Sequence, residues 1–385
     1  MKMKLLLASA CALFAFTSCI KDEALNAECD ITGVDSLWLQ SHRDILIGNP
    51  IVANERVSFN VAKGTDITAL DPRFYLTPGA RLMAIGPDGQ EVEANGMVRD
   101  FTTPKNYTTY SEDGLWHKNY VVSFDTLMIK SNYNFEHYQL ESRGRFYNWF
   151  EVDENDATQT QHMYWATGNP GYALTGKGTS PDVYPTQPIE GGGPDGSSCI
   201  KLTTCSTGSF GENLPDPMPI AAGNIFLGEF RVAYATMRPR NATRFGLQLV
   251  GGEPISLEGY YKYTAGETFI NEHKEVLADR HDTADIYAVV YEVDPANFVP
   301  LNGDEVLTSD RIVYMSRIDD PGEPQEWTYF NEPFRLMPGK TFNPERVKTN
   351  GYAIALVATS SREGAYFRGA VGSTLYVDQL KISWK

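Results

Sequence analysis

The chain has 385 residues, and its 33 basic and 49 acidic side chains give it a formal net charge of −16. This acidic balance argues against nucleic acid or an anionic lipid surface as the partner, because basic patches bind both. The 33 glycines and 22 prolines, together with the lack of long amphipathic helical patterns, indicate an all-β protein with many turns.

Residues 1–18 are predicted to be a lipoprotein signal peptide. Lys2 and Lys4 form a charged start, and the apolar run that follows is shorter than the ~20 residues needed to span a bilayer. The run ends in Thr17-Ser18-Cys19, which resembles a loose lipobox and makes Cys19 the lipidated first residue of the mature protein. The alternative is an ordinary signal peptide that is cleaved nearby.

Residues 19–25 are predicted to be the lipidated cysteine and an acidic tether. The start Cys19-Ile-Lys-Asp-Glu resembles the export signal of outer-membrane lipoproteins that glycan-degrading gut bacteria display on the cell surface. The alternative is a solvated tether without a signal. Because no later stretch is apolar enough to span a bilayer, we expect the N-terminal lipid to be the sole membrane anchor.

Residues 26–129 are predicted to form an immunoglobulin-like domain. Short strand-like runs recur there between turn signals such as Thr77-Pro78-Gly79 and Gly86-Pro87-Asp88-Gly89. A series of short strands over roughly a hundred residues is typical of an immunoglobulin-like sandwich. No motif in this part has a catalytic pattern, so its predicted role is that of a spacer.

Residues 130–385 are predicted to form a jelly-roll β-sandwich. Strand-like runs with glycine- and proline-rich loops continue to Tyr352–Thr359, which is apolar on both alternating faces, and to a terminal strand, Ser373–Trp384. The glycine-rich stretch within the loop 170–198 is not a phosphate loop, because it lacks Gly-Lys-Ser/Thr and a following helix. The overall fold prediction is therefore all-β, with two sandwich domains.

Three cysteines, Cys29, Cys199 and Cys205, remain besides the signal peptide and the lipidation site. An odd number allows at most one disulfide. Cys199 and Cys205 flank a strand-like run and are too far apart for a bridge unless the chain turns between them. No cysteine and histidine cluster has zinc-site spacing, which argues against structural zinc.

Several segments of residues 130–385 together resemble the putative carbohydrate metabolism domain family. They are Trp165–Asn169, Ala221–Asn224, Leu257–Tyr263, Ser360-Ser361 and Gly372–Asp378. The resemblance implies a cell-surface-exposed outer-membrane lipoprotein with an N-terminal immunoglobulin-like module and a C-terminal jelly roll similar to carbohydrate-binding modules. It also implies association with glycan and with partner lipoproteins of a glycan-uptake system, but no particular reaction.

Glu136 and Asp378 are candidate ligands for a structural calcium ion. They lie on the predicted first and last strands of the jelly roll, which are commonly neighbours in this fold. Two carboxylates and nearby backbone carbonyls are the hard oxygen ligands that calcium prefers. The alternative is that both acids face solvent on edge strands.

Glu258, Tyr260 and Lys262 are candidate glycan-binding residues. Alternation along Leu257–Tyr263 places them on one face and the more apolar residues on the other. Tyr260 would then stack on a sugar while its charged neighbours bond the hydroxyl groups. The alternative is an edge-strand tyrosine covered by a loop.

Trp165 and Asn169 form a second candidate pair, an aromatic platform with an amide, at a strand end before a long loop. The alternative is a core tryptophan and a turn asparagine. Arg362 and Tyr366 are expected to line the same binding rim as the other ligand-binding residues.

The sequence favours a lipoprotein that binds glycan without cleaving it. A glycoside hydrolase needs two carboxylates about 5–10 Å apart, one with a raised pKa, and no acidic pair lies in a recognisable motif. No Gly-x-Ser-x-Gly elbow is present either, so we assign no catalytic residue. The alternatives are a glycoside hydrolase or lyase acting on polysaccharide, and a structural or adhesive surface protein.

Overall fold

The computed structural model describes residues 25–46, 49–53, 55–61, 65–126, 130–152, 161–162 and 165–385. The predicted signal peptide (1–18), Cys19 and most of the tether (19–25) lie outside these ranges. So do residues 127–129, which adjoin the predicted domain boundary, so the boundaries stay predictions. The protein is all-β, with 41% strand and 11% helix, as the sequence predicts.

The N-terminal region is a separate immunoglobulin-like module built on a six-stranded sheet. Its strands, in spatial order, are Ile51–Ala53, Arg56–Val61, His117–Thr126, Lys105–Tyr110, Arg81–Ile85 and Glu91–Glu93. Arg56–Val61 runs parallel to His117–Thr126, and the other neighbouring pairs are antiparallel. Two further strands, Ile31–Val34 and Phe74–Leu76, pair with each other and contribute to the same hydrophobic core.

A short helix, Ser36–Ser41, begins in this module at Asp35. The Asp35 carboxylate accepts hydrogen bonds from the backbone N–H groups of Leu37 and Trp38, at 2.8 and 2.9 Å, which satisfies two donors at the helix start. This cap directs Trp38 into the core, where its ring packs edge-on against Phe59.

The second unit contains two large sheets that pack face to face. The nine-stranded sheet comprises Trp165–Thr167, Asn224–Phe230, Thr243–Phe245, Gln248–Leu249, Asp285–Glu292, Leu301–Asn302, Ile312–Arg317, Arg335–Leu336 and Tyr352–Thr359. The six-stranded sheet comprises Asn132–Tyr133, Thr186–Ile189, Cys199–Thr203, Pro254–Thr264, Thr328–Pro333 and Thr374–Trp384. One hydrophobic core joins residues of both sheets, which gives the sandwich.

Smaller elements connect the sheets. The paired short strands are Tyr138–Leu140 with Tyr147–Trp149, Glu151–Val152 with Gln161–His162, Cys205–Ser206 with Ile220–Ala221, and Phe269–Ile270 with Gly369–Ala370. The α-helices are Asn169–Ala173, Gly208–Glu212, Pro239–Ala242 and Pro344–Lys348. The 3₁₀ helices are Pro181–Val183, Val232–Tyr234, Pro295–Asn297 and Gly364–Tyr366. None of the helices in the described part of the chain could cross a membrane.

Tyr352–Thr359 is a central strand, as its two apolar faces predict. It pairs with Asp285–Glu292 on one side and with Asn224–Phe230 on the other. Leu356 belongs to the core between the sheets, whereas Val357 belongs to a second hydrophobic cluster on the outer side of the nine-stranded sheet. Both faces of the strand are therefore covered.

Thr374–Trp384 lies inside the six-stranded sheet, between Cys199–Thr203 and Pro254–Thr264. Gln379 has a φ of 51°, and the pairing with the Pro254–Thr264 strand shifts register at this point. This bulge changes the phase of the alternation. Val377 before it and Leu380 after it both face the core, whereas Asp378 faces outward.

Cys29, Cys199 and Cys205 are all free thiols. Cys29 lies in the N-terminal module, and Cys199 and Cys205 lie on the two short strands that bracket Thr204. Burial raises the pKa of the Cys199 thiol to about 12 and that of Cys205 to about 11. Both are therefore poor nucleophiles, because the thiolate is the reactive form.

Candidate functional site

The outer surface of the six-stranded sheet carries four aromatic side chains and is called the aromatic face here. Leu257, Tyr261 and Tyr263 are buried in the core, so alternation turns Glu258, Tyr260 and Lys262 outward, as predicted. The neighbouring strands and the turn before one of them add three rings that the sequence analysis did not select. The aromatic face consists of Tyr260, Trp327, Tyr329 and Tyr376, with Glu258 and Lys262 between them.

Tyr260 and Tyr329 are direct neighbours across two strands of the aromatic face. Their ring centroids are 5.4 Å apart and the rings are tilted by 56°. The Tyr329 side chain is 51% exposed, and its hydroxyl donates to Glu258 Oε2 at 2.8 Å. The pair therefore presents an accessible ring surface whose orientation a carboxylate fixes.

Glu258 is held as an ionised acceptor. Ser383 donates to its Oε1 at 2.8 Å and Ser256 does so at 3.0 Å. The hydrogen bond from Ser383 is the main cause that lowers the pKa of Glu258. Lys381 Nζ lies 3.6 Å from Oε2, so the edge of the aromatic face carries both an anion and a cation.

Lys262 lies between two rings of the aromatic face. Its Nζ is 4.6 Å from the Tyr376 ring centroid and 5.2 Å from that of Trp327, distances at which a cation is attracted to an aromatic face. The Trp327 indole N–H donates to the backbone carbonyl of Gly192 at 3.1 Å. This bond ties the glycine-rich loop 190–198 to one end of the aromatic face.

Asp378 lies beside Tyr260 and beneath that loop. It is fully buried and accepts hydrogen bonds from Ser197 Oγ at 3.0 Å and from the Gln379 backbone N–H at 2.7 Å. Burial raises its pKa to about 7. A Cβ atom at Gly193 would lie 2.6 Å from Asp378 Oδ2, so the loop can approach this closely because residue 193 is glycine.

Glu136 and Asp378 contact consecutive residues of the loop, since Glu136 Oε1 accepts from the Ser198 N–H at 2.8 Å. Asn132–Tyr133 pairs with Thr374–Trp384, but Glu136 follows this first strand instead of lying in it. Within the described residues, no group of three or more histidine, cysteine, aspartate or glutamate side chains could hold a metal ion. A calcium ion bound by Glu136 and Asp378 remains a prediction.

Trp165 and Asn169 do not form a binding platform, which corrects the sequence-based prediction. Trp165 is 7% exposed, packs edge-on against Tyr133 and donates its indole N–H to Glu151 Oε1 at 2.8 Å. Asn169 is fully buried and exchanges two hydrogen bonds with the Thr186 backbone, at 2.8 and 3.0 Å. Neither side chain has a surface free to contact a glycan.

Arg362 and Tyr366 lie on the other side of the sandwich, so the prediction of one shared rim is wrong. They follow Tyr352–Thr359, the central strand of the nine-stranded sheet, and line a cavity on its outer side. The guanidinium group of Arg362 donates to the backbone carbonyls of Ile318 and Asp319, both at 2.9 Å.

In the part of the chain that the structure describes, the buried carboxyl groups with raised pKa values are engaged by protein donors. Burial raises the pKa of Glu151, Asp282, Asp285 and Asp378, yet each of these groups accepts hydrogen bonds from protein donors. Asp285, which lines the cavity, is bound in bidentate fashion by Arg317 at 2.8 and 2.7 Å. The Arg317 guanidinium opposes the effect of burial on the pKa of Asp285, because it stabilises the ionised carboxylate.

Two family matches cover most of the chain. Residues 134–383 match the putative carbohydrate metabolism domain family, and residues 44–124 match the family described as SGBP, N-terminal. No curated protein matches the chain.

Two solved structures resemble the chain over most of their length. A Bacteroides thetaiotaomicron protein described as a putative glycoside hydrolase is 38% identical, with a TM-score of 0.81 over 95% of this chain and 99% of that one. A Bacteroides vulgatus protein with the same description is 35% identical, with a TM-score of 0.60 over 68% of this chain and 100% of that one.

Proposed function

This chain belongs to the putative carbohydrate metabolism domain family, and on that premise we propose that it binds polysaccharide through the aromatic face without cleaving it. The observation that carries the proposal is the Tyr260 and Tyr329 pair, which presents a half-exposed ring surface beside fixed polar groups. Pyranose rings have C–H-rich faces that pack on aromatic rings, and their hydroxyl groups bond charged side chains.

The polar groups of the aromatic face orient a sugar ring that stacks there. Glu258 accepts hydrogen bonds while ionised, and Lys381 next to it is a donor. Each such bond adds about 1 kcal/mol net, so affinity depends on several weak contacts along a glycan chain. Trp327 and Tyr376 extend the ring surface beyond the tyrosine pair.

The proposed location is the cell surface, with a lipid at Cys19 as the anchor. The match of residues 44–124 to the SGBP family, which suggests cell-surface glycan-binding proteins, supports this location. The predicted signal peptide and acidic tether support it from the sequence. Partner lipoproteins of a glycan-uptake system belong to the same proposal.

A glycan-array screen of residues 20–385, run with calcium and with a chelator, tests the proposal. We expect polysaccharide binding that weakens about two- to twelvefold in Tyr329→Ala, because stacking on one ring contributes about 0.5–1.5 kcal/mol. Tyr75→Ala is the matched control, since Tyr75 is 47% exposed on the N-terminal module. Equal binding by the wild type and Tyr329→Ala would remove the aromatic face as the site, and loss of binding with chelator would support the calcium ion.

Hydrolysis is the second candidate function, and the descriptions of the two similar structures favour it. The engaged carboxyl groups argue against it, so we expect no new reducing ends when the protein is incubated with a polysaccharide that it binds. The measurement is a reducing-end assay over a day at several pH values. New reducing ends released by the wild type above a control without protein would establish hydrolysis and overturn the non-catalytic proposal.

A further inference from the structure

Two lysines share one row of the aromatic face. Lys201, Tyr376 and Lys262 are paired side by side on three neighbouring strands of the six-stranded sheet. The residues before and after each of them in the chain are buried in the core, so alternation turns all three outward. Because neighbouring strands are ~5 Å apart, the backbones of the two lysines are ~10 Å apart. The row therefore presents two cations on either side of one ring.

Neither of these lysines has a counter-charge. Lys262 Nζ contacts two aromatic rings, and no acid lies within ion-pair distance of Lys201 or Lys262 among the residues that the structure describes. On the same face, by contrast, Lys381 pairs with Glu258 at 3.6 Å. Both unpaired lysines are half-buried. A partly desolvated cation gains from an anion that reaches it, because an aromatic ring compensates for only part of its lost hydration.

The rows that border the lysine row supply no exposed carboxylate. On one side lie Thr203, Thr374 and Thr264, which are paired across the same three strands. On the other side the acid is Asp378, which is fully buried beneath the glycine-rich loop. An anion that reaches the lysines from solvent would therefore meet ammonium and hydroxyl groups, both of which can donate hydrogen bonds to it.

The local charge of the aromatic face is opposite in sign to the charge of the whole chain. Its strands, all of which the structure describes, direct Lys201, Lys262 and Lys381 outward together with one uncovered acid, Glu258. The chain as a whole has a net charge of −16. At physiological salt, charges more than ~8 Å apart are largely screened, so the nearby lysines determine which ligand this surface attracts. A locally positive surface favours an anionic ligand.

The lysine row lies next to the tyrosine pair of the same face. Tyr260 and Lys262 are successive outward residues of one strand, and such residues are ~7 Å apart. A sugar ring that packs on Tyr260 and Tyr329 therefore lies beside Lys262. An anionic group on this sugar unit or on the next one can reach the lysine row, where each ammonium group has three donors for its oxygen atoms.

We infer that the aromatic face binds an acidic polysaccharide, whose carboxylate or sulfate groups pair with Lys201 and Lys262 while its sugar rings pack on the tyrosines. The inference rests on the proposed function, because it takes the ligand of this face to be a glycan, and it adds the charge of that glycan. Carboxylate and sulfate offer the same chemistry to the lysines, namely anionic oxygen atoms that accept hydrogen bonds.

Calorimetric titration of residues 20–385 with two matched pairs of polysaccharides tests the inference. The first pair is polygalacturonate and its carboxyl-reduced form, and the second is dextran sulfate and dextran. We expect the charged member of at least one pair to bind about tenfold or more tightly, since one hydrogen bond to a charged group contributes at least that factor. The preference should shrink as salt is added, because salt screens the charges. The pair that shows it distinguishes carboxylate from sulfate.

The double variant with Lys201→Met and Lys262→Met removes both charges and keeps the apolar stems of the side chains. We expect it to lose the preference for the charged member, whereas Lys177→Met keeps that preference, because Lys177 is an exposed lysine outside the aromatic face. Thermal unfolding at the wild-type temperature would show that the double variant is folded. A glycan array probed with the wild type and the double variant extends the comparison to other acidic glycans.

Three results would overturn the inference and leave the proposed function intact. They are array hits confined to neutral glycans, equal affinity within both polysaccharide pairs, and binding of acidic glycans that persists unchanged in the double variant. Binding of no glycan at all would overturn the inference and the proposed function together.

Discussion

Replacing Asp285 with asparagine is expected to destabilise the second unit by about 3–5 kcal/mol, the largest effect of any substitution considered in this protein. Asp285 is nearly inaccessible on the central Asp285–Glu292 strand and is the partner of Arg317 through two hydrogen bonds. Its loss leaves the guanidinium groups of Arg317 and Arg362 without their counter-charge, and a partly buried unpaired charge is costly. Chemical denaturation at pH 7 measures the change.

Asp319→Asn is the matched control for this experiment. Asp319 pairs with Arg335 on the surface, and both side chains are largely exposed. Exposed pairs of this kind contribute about 0–1 kcal/mol, so this variant should unfold close to the wild type. Similar losses in the two variants would mean that the Asp285 pair adds no more than a surface pair.

Stability is expected to fall between pH 4 and pH 8 because of Asp378. Its pKa rises from an ordinary value of 3.8 to about 7 in the folded state. Between those values the folded protein holds a proton that the unfolded chain has released, so each pH unit lowers the free energy of unfolding by ~1.4 kcal/mol. The loss is complete above the folded-state pKa, and its upper bound is about 4 kcal/mol.

Asp378→Asn lacks this titration, so its stability relative to the wild type should improve steadily as the pH rises through this window. Denaturation curves of both proteins at pH 4.5, 6, 7 and 8 measure the difference. Asp195→Asn is the control from the same loop, because the hydrogen bond from Ser197 lowers the pKa of exposed Asp195 and leaves it ionised in both states. Parallel pH profiles for the wild type and Asp378→Asn would contradict the prediction.

Much of the fold can be predicted from the alternation of side chains between the two faces of each strand. The pattern of Leu257–Tyr263 predicts which side chains face the core, and the doubly apolar Tyr352–Thr359 predicts a central strand. Both rules are local, because side-chain direction in a strand has a period of two residues. The bulge at Gln379 breaks the period, and no residue type in that segment marks it in advance.

The candidate site depends on contacts between segments that are distant in the sequence. The alternation of side chains along one strand does not predict such contacts. Trp165 is of a residue type that can stack on a sugar, yet its orientation is set by Tyr133 and Glu151, which belong to other strands. Tyr329 carries a local signal, since it alternates with buried Phe330, but its value as a binding residue depends on Tyr260 across the sheet. Residue type alone does not separate these two cases.

The position of Thr374–Trp384 has a consequence for how the second unit folds. This strand follows every other strand of the six-stranded sheet in chain order, yet it lies between two of them and also pairs with Asn132–Tyr133. Without it, Cys199–Thr203 and Pro254–Thr264 have no common neighbour, and the six-stranded sheet cannot close. Contacts between such distant segments slow folding, so a chain truncated before Thr374 is expected to expose unpaired strand edges instead of folding.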